Sequence, residues 1–202
     1  LVERTSDSRW LTFCKPLKRL KISDQIVFSN SLSAEVISKK ENECVLQFSK
    51  SGTLLDQAIS KAGQLPLPPY IIKKRSYQTS DDLNYQSIFA REIGSIASPT
   101  ASLHFDKNLL NKLRNERINF SFVTLHVGAG TFLPVDSEKI SDHKMHYENG
   151  LIDSKTVYEI NKTKAQGGRI IPVGTTSLRL IETATVSKNV IAEFNGKTDI
   201  FI

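Results

Sequence analysis

Hydrophobic and polar positions alternate along the first quarter of the chain. In Trp10-Leu-Thr-Phe-Cys14, Leu11 and Phe13 alternate with Trp10, Thr12 and Cys14; Gln25-Ile-Val-Phe28 follows, and Ala34-Glu-Val-Ile-Ser38 and Cys44-Val-Leu-Gln-Phe48 flank the polar turn Lys39–Glu43. Period-two runs bounded by turns predict short strands, and their regular spacing predicts a small antiparallel β-barrel. Leu54, Leu55, Ala58, Ile59 and Ala62 then recur at helical spacing, with Gly63 placed to end that helix. Three prolines, Pro66, Pro68 and Pro69, are expected to exclude regular structure and stiffen a linker. They divide the chain into a β-barrel part, residues 1–65, and a second part, residues 66–202.

Beyond the prolines the period changes. Asp106 is placed to cap a helix carrying Leu109, Leu110 and Leu113, and Asn119–Val127 reads as a strand. Ser154 is placed to cap a helix through Val157 and Ile160 that stops at Gly167-Gly168; Arg169–Val173 reads as a strand and Thr176–Ala184 as a helix. Strands alternating with helices predict a mixed, mostly parallel α/β sheet, whose ligand site falls outside the carboxyl ends of the strands.

Composition narrows the class. A chain of 202 residues with 39% hydrophobic positions suffices for a real core. No run approaches the roughly 18 apolar residues a membrane span needs, so a soluble, cytoplasmic protein is expected. The first residues, Leu1-Val-Glu-Arg4, carry neither an initiator nor a secretion signal, and the single methionine is Met145. The chain therefore reads as the interior of a longer protein. Cys14 and Cys44 lie in apolar, strand-like settings and are expected as buried thiols. The net charge of +6 is spread over both parts, a modest indication of a polyanionic partner.

Two of the predicted loops attract chemistry. Gly128-Ala-Gly-Thr131 follows one predicted strand, and Gly174-Thr-Thr-Ser177 follows the other directly before a helix. Glycines admit close backbone approach, and a helix N-terminus favours anions, so the pair suggests a ligand site. All four histidines, His104, His126, His143 and His146, lie within one stretch of the sequence. Acid–base chemistry is one reading, since histidine titrates nearest neutrality. Zinc held by His143, His146, His126 and Glu148 is a second, although the spacing lacks the helical logic of known zinc motifs. Hydrogen bonding in a polar loop is the third. Lys15, Lys18, Arg19 and Lys21 crowd one loop, and Lys73-Lys74-Arg75 follows the prolines; phosphate contact and plain solvation both account for such clusters. Tyr77 and Tyr85, near Arg75 and Arg91, suit base stacking or a core rim equally.

The motifs taken together resemble a known family. Leu65-Pro-Leu-Pro-Pro-Tyr-Ile71, the stretch Tyr85–Phe105 containing Ser98-Pro-Thr-Ala-Ser-Leu-His-Phe105, Phe122–Val135, Asp142–Glu148, Gly167–Glu182 and Lys197–Ile202 occur in the order of the S-adenosylmethionine:tRNA ribosyltransferase-isomerase family of queuosine biosynthesis. The resemblance runs from Arg9-Trp10 to the last residue. It implies an α/β catalytic domain with a small β-barrel inserted. It also implies transfer and isomerisation of the ribosyl part of S-adenosylmethionine, as co-substrate and without a metal, onto 7-aminomethyl-7-deazaguanine at the wobble position of tRNA. Epoxyqueuosine would form, and adenine and methionine would leave.

For such chemistry the expected proton-transfer residues are His126, His143 and His146, with Glu148 orienting one imidazole. Gly128, Gly130 and Thr131 would hold the ribosyl or methionyl part, and Gly174, Thr175, Thr176 and Ser177 a carboxylate or phosphate. Arg179 and Arg91 would bind a phosphate or the methionine carboxylate through their planar forks. Lys15, Lys18, Arg19, Lys73, Lys74, Arg75 and Arg91 would meet tRNA, and a monomer is expected. Two residues depart from the usual pattern: Ser98 stands for an alanine and Ser102 for a glycine, which would strain the loop if that glycine needs positive φ. The family normally extends beyond both ends of this chain. A catalytically silent tRNA-binding module and a metal-dependent hydrolase are the alternative readings.

Overall fold

The computed structural model describes residues 1–40, 43–132 and 145–202. Two compact units divide at the prolines, Leu1–Leu65 and Pro66–Ile202.

In the first unit, β1 (Glu3–Ser6), β2 (Arg9–Phe13), β3 (Gln25–Ser29), β4 (Leu32–Lys40) and β5 (Glu43–Phe48) form one sheet in the order β1-β2-β5-β4-β3, antiparallel throughout. Alternation along β4 and β5 sends Leu32, Ala34, Val36, Cys44, Leu46 and Phe48 inward, where α1 (Gly52–Ala62) covers them with Leu55 and Ala58. The expected barrel is not closed among the described residues, where β1 and β3 remain the two edges of the sheet. Each edge ladder is interrupted, between Arg4 and Ser6 and between Val27 and Ser29. Gly63 ends α1 at an ordinary φ of −81°, its N–H donating to the Ile59 carbonyl at 2.7 Å. Cys14 and Cys44 are free thiols side by side. Burial first, then the hydrogen bond with Cys14, pushes the Cys44 thiol up to about 11, so it stays protonated at neutral pH.

The second unit begins with a correction. The prolines do not exclude regular structure, because Pro69 opens α2 (Pro69–Ile72). Its fixed φ suits the first helical position, where its missing N–H is not needed. A second short helix, α3 (Asp81–Asn84), carries the buried Asp81. Arg75 grips this carboxylate bidentately, Nη1 to Oδ2 at 2.8 Å and Nη2 to Oδ1 at 2.6 Å, and the Gln78 N–H donates to Oδ2 at 2.9 Å. The Arg75 hydrogen bonds first, then that of Gln78, lower the Asp81 carboxyl to about 2. Because this lies below the unfolded value of about 3.9, the ionised pair stabilises the fold above pH ~4 and is lost as pH falls toward 2. Asp81→Asn is therefore expected to lower the melting temperature at pH 7, with the difference shrinking progressively below pH 4 in thermal melts.

A 3-10 turn, Thr100–His104, leads to α4 (Lys107–Asn115), whose cap Asp106 accepts the Leu109 N–H at 2.7 Å. Then come β6 (Thr124–His126), a 3-10 turn Ala129–Phe132, β7 (Glu148–Ile152), α5 (Ser154–Ala165), α6 (Gly174–Thr183), β8 (Thr185–Ser187), β9 (Val190–Ile191) and β10 (Phe194–Thr198). Asp153, not Ser154, caps α5, accepting the Thr156 N–H at 2.8 Å.

The parallel sheet does not form among the described residues. Strands order as β10-β7-β6, antiparallel, with β8 and β9 a separate hairpin. Arg169–Val173 makes no ladder: Ile171 is 72% exposed, and Pro172 lacks the N–H a sheet interior requires. β7 takes the place beside β6 instead. Leu125, Ile152, Ile160, Leu180, Ala184 and Ile191 form the core of this unit. Gly150 in β7 lets α6 descend onto the sheet, since a Cβ there would lie 2.2 Å from Leu180 Cδ2.

Candidate active site

The expected site residues converge where β6 ends and β7 begins. Antiparallel register sets His126 opposite Asn149, bringing the loop after β6 beside Glu148 at the start of β7. The Gly128 N–H donates to Glu148 Oε1 at 3.1 Å. Arg179, one turn into α6, donates from Nη1 to Glu148 Oε2 at 2.5 Å. Both partners of this ion pair are nearly enclosed, with side-chain exposures of 12% for Arg179 and 8% for Glu148. Among the described residues Glu148 therefore meets a backbone amide and a guanidinium, not an imidazole as expected.

His126 is half-buried, and among the described residues its buried Nδ1 has no hydrogen-bond partner, nor has Nε of Arg179. Buried polar atoms are ordinarily satisfied, so two orphans in one cluster mark places where a ligand group would complete the bonding. The imidazole lies against Gly94, where a Cβ would come within 2.4 Å of Nδ1. Next to it the Ser95 hydroxyl donates to the Leu125 carbonyl at 3.2 Å and accepts the Val127 N–H at 3.1 Å, and the Ile96 N–H donates to the Val127 carbonyl at 2.8 Å. The segment around Gly94 thus straps the end of β6. Gly94 and Ser95 escaped the sequence reading; their signal was the Gly-Ser pair inside Tyr85–Phe105.

His146 is exposed and packs on Gly130, where a Cβ would lie 2.5 Å from its Cδ2. His143 lies outside the described residues. Gly128 has open space where a Cβ would be, so its contribution is its N–H; Thr131 is exposed and donates its N–H to the Gly128 carbonyl at 3.3 Å. Gly174 to Ser177 form the first turn of α6, which has no side-chain cap. Ser177 Oγ donates back to the carbonyls of Val173 and Gly174, at 3.0 and 3.1 Å, while Thr175 is exposed and Thr176 half-buried.

Ser102 does not strain its loop, for it is not among the residues of positive φ. Its hydroxyl donates to the Pro99 carbonyl at 2.6 Å and lies 2.7 Å from Ser87 Oγ, which supplies the second bond. Ser98 fares worse, its buried Oγ having no partner among the described residues.

The basic residues fall in both units. Lys15, Lys18 and Arg19 are exposed around a 3-10 turn of the first unit, Lys73 and Lys74 are exposed after α2, and Arg75 is committed to Asp81. Arg91 stacks over Phe122, its Cζ 4.7 Å from the ring centre. Among the described residues no group of three or more His, Cys, Asp or Glu side chains is placed to hold a metal, and no helix is long and apolar enough to cross a membrane.

Residues 1–202, the whole chain, match the family described as queuosine biosynthesis protein. The chain belongs to that family. Among its relatives, the S-adenosylmethionine:tRNA ribosyltransferase-isomerase of Cereibacter sphaeroides (strain KD131 / KCTC 12085) is 50% identical over 202 residues, covering 100% of this chain and 58% of the relative. The protein of the same name from Ruegeria sp. (strain TM1040) is 48% identical with the same coverage. A crystal structure of S-adenosylmethionine tRNA ribosyltransferase from Thermotoga maritima aligns with 100% of this chain and 52% of its own, at 25% identity and a TM-score of 0.37. This member of the queuosine family therefore spans well under two thirds of the curated relatives it matches.

Proposed function

We propose that the chain carries the central part of an S-adenosylmethionine:tRNA ribosyltransferase-isomerase. It would transfer the ribosyl moiety of S-adenosylmethionine to 7-aminomethyl-7-deazaguanine at the tRNA wobble position and isomerise it to epoxyqueuosine, releasing adenine and methionine. The observation that carries this reading is the match of all 202 residues to part of relatives of that name at about half identity. The largely enclosed cluster of His126, Glu148 and Arg179 supports it chemically.

Proton removal beside the sulfonium needs a base, and departing adenine benefits from a proton donor. His126, with a free buried Nδ1, is suited to one of these tasks, and His146 and His143 are the candidates for the other. Glu148 acts on Arg179 and the Gly128 amide, fixing both in place. Arg179, whose Nε is unpaired, and the first turn of α6, Gly174 to Ser177, suit the methionine carboxylate; Gly128, Gly130 and Thr131 suit the ribosyl part. Pro66–Ile202 is the catalytic unit in this reading, and Leu1–Leu65 an inserted antiparallel β accessory offering Lys15, Lys18 and Arg19 to tRNA. Lys73 and Lys74 add to that surface, while Arg75 serves it only through Asp81. The protein would act as a cytoplasmic monomer without a metal.

The test incubates the protein with S-adenosylmethionine and tRNA bearing the aminomethyl base, following adenine release and the mass of the modified nucleoside. Adenine release with the epoxy-cyclopentyl mass gain is expected. Binding of tRNA without adenine release would replace the reading by a silent tRNA-binding fragment, which the partial coverage of the relatives would then explain.

A further inference from the structure

A cavity of about 360 Å³ lies within Pro66–Ile202, and none of its lining residues belongs to the His126, Glu148 and Arg179 cluster. Helix α4 builds one wall, because Lys107, Leu110, Asn111 and Arg114 recur at the three- and four-residue spacing of one helix face. Opposite chemistry comes from the chain on either side of α4, which supplies Phe89 and Arg91 before it and Phe120 and Phe122 after it. Arg91 Cζ sits 4.7 Å from the centre of the Phe122 ring and Arg114 Cζ 5.9 Å from that of Phe120. The Phe89 ring is 5.9 Å from Phe122.

Three cations and three phenylalanines line this space, and no carboxylate lies among the described lining residues. Asp106, adjacent to Lys107 in sequence, is occupied as the α4 cap, accepting the Leu109 N–H at 2.7 Å. A guanidinium stacked on a ring has its plane fixed while its N–H edges stay available to an anion. The matching ligand has a flat apolar face and a phosphate. In double-stranded RNA the base faces are covered by stacking, so the ligand is unpaired.

We infer that this cavity takes one unpaired ribonucleotide of the tRNA, its base against the phenylalanine rings and its phosphates on Arg91, Lys107 and Arg114. The inference rests on the tRNA reading given under Proposed function. It places a tRNA contact apart from the reacting centre, on residues that carry no proton chemistry.

The test measures tRNA affinity by fluorescence anisotropy across a salt series, alongside adenine release by the parent protein. Two variants suffice: the double substitution Lys107→Gln with Arg114→Gln, both at exposed positions of α4, and Phe120→Leu. The double variant is expected to bind tRNA at least tenfold more weakly and to lose about 1.4 from the salt slope, the value for two single-strand phosphate contacts. Phe120→Leu is expected to weaken binding about fivefold or more at an unchanged slope, as loss of one stacked base does. Parental affinity in the double variant, which keeps its fold because both positions face solvent, overturns the inference. So does a free mononucleotide that displaces tRNA at equal affinity, which would make this a free-nucleotide site, and so does a parent that binds no tRNA. Should the parent bind tRNA yet release no adenine, the enzymatic reading falls while the variant comparison still decides the cavity.

Discussion

Glu148→Gln is expected to destabilise the protein by about 3–5 kcal/mol, the usual cost of removing one partner from an enclosed ion pair. The reason is what it leaves behind. Arg179 is 12% exposed and its Nε lacks a partner among the described residues, so neutralising Glu148 leaves a guanidinium without its carboxylate and largely screened from water. The glutamine carbonyl would still accept either the Gly128 amide or Arg179, but without charge. The double variant Glu148→Gln with Arg179→Met is expected to recover most of the loss, because no charge is then buried alone. Urea unfolding of parent, single and double variants measures both quantities. A single variant within 1 kcal/mol of the parent would mean that water reaches the pair and that it does not organise the site. If the pair does organise it, the double variant would be stable yet fail to release adenine, separating its structural part from its chemical one.

Elements whose own residues announce their inward face were legible in the sequence. β4 and β5 alternate cleanly and bury Leu32, Ala34, Val36, Cys44, Leu46 and Phe48; α4 shows both its cap and its apolar spacing. β7 was invisible for a physical reason. Its inward residues are Glu148, Gly150 and Ile152, a carboxylate, a glycine and one hydrophobe, so hydrophobic alternation never appears. Two of them are there for a partner distant in sequence: Glu148 for Arg179 and Gly150 for Leu180. Missing β7 left β6 without its neighbour, and Arg169–Val173 was recruited to a parallel sheet that its proline and exposed Ile171 do not support. Closure of the first sheet was hidden in the same way, since whether its edge strands β1 and β3 pair with each other is a property of pairing and not of composition.

The site was legible as residue types but not as connections. Histidines, glycines and the paired loops could be picked out singly. That Glu148 would join Gly128 to Arg179 and reach no described imidazole, and that Arg75 would be drawn to Asp81, depend on three-dimensional distances. Gly94 belongs to the same class, since its meaning comes entirely from the histidine lying against it.

Gly94→Ala is accordingly expected to disable the site while leaving the fold standing. The residue has φ +150°, which L side chains rarely adopt, and the added methyl would lie 2.4 Å from His126 Nδ1 and 2.8 Å from Cε1. Backbone strain of this kind costs about 1–3 kcal/mol. The steric conflict is resolved more cheaply by turning the imidazole away, because a ring on one side-chain bond yields before a backbone does. If His126 transfers a proton in the reaction, its displacement removes an effect worth about 10²–10⁴ in rate. Adenine release should therefore fall in Gly94→Ala by nearly as much as in His126→Ala, with thermal melts showing a folded protein in both. The combination is the decisive measurement: Gly94→Ala added to His126→Ala should cost almost nothing further, because the group it displaces is already gone. Full additivity of the two losses would mean that Gly94 acts on the loop independently of the imidazole. An active Gly94→Ala protein would exclude proton transfer by His126 from the position it holds beside that glycine.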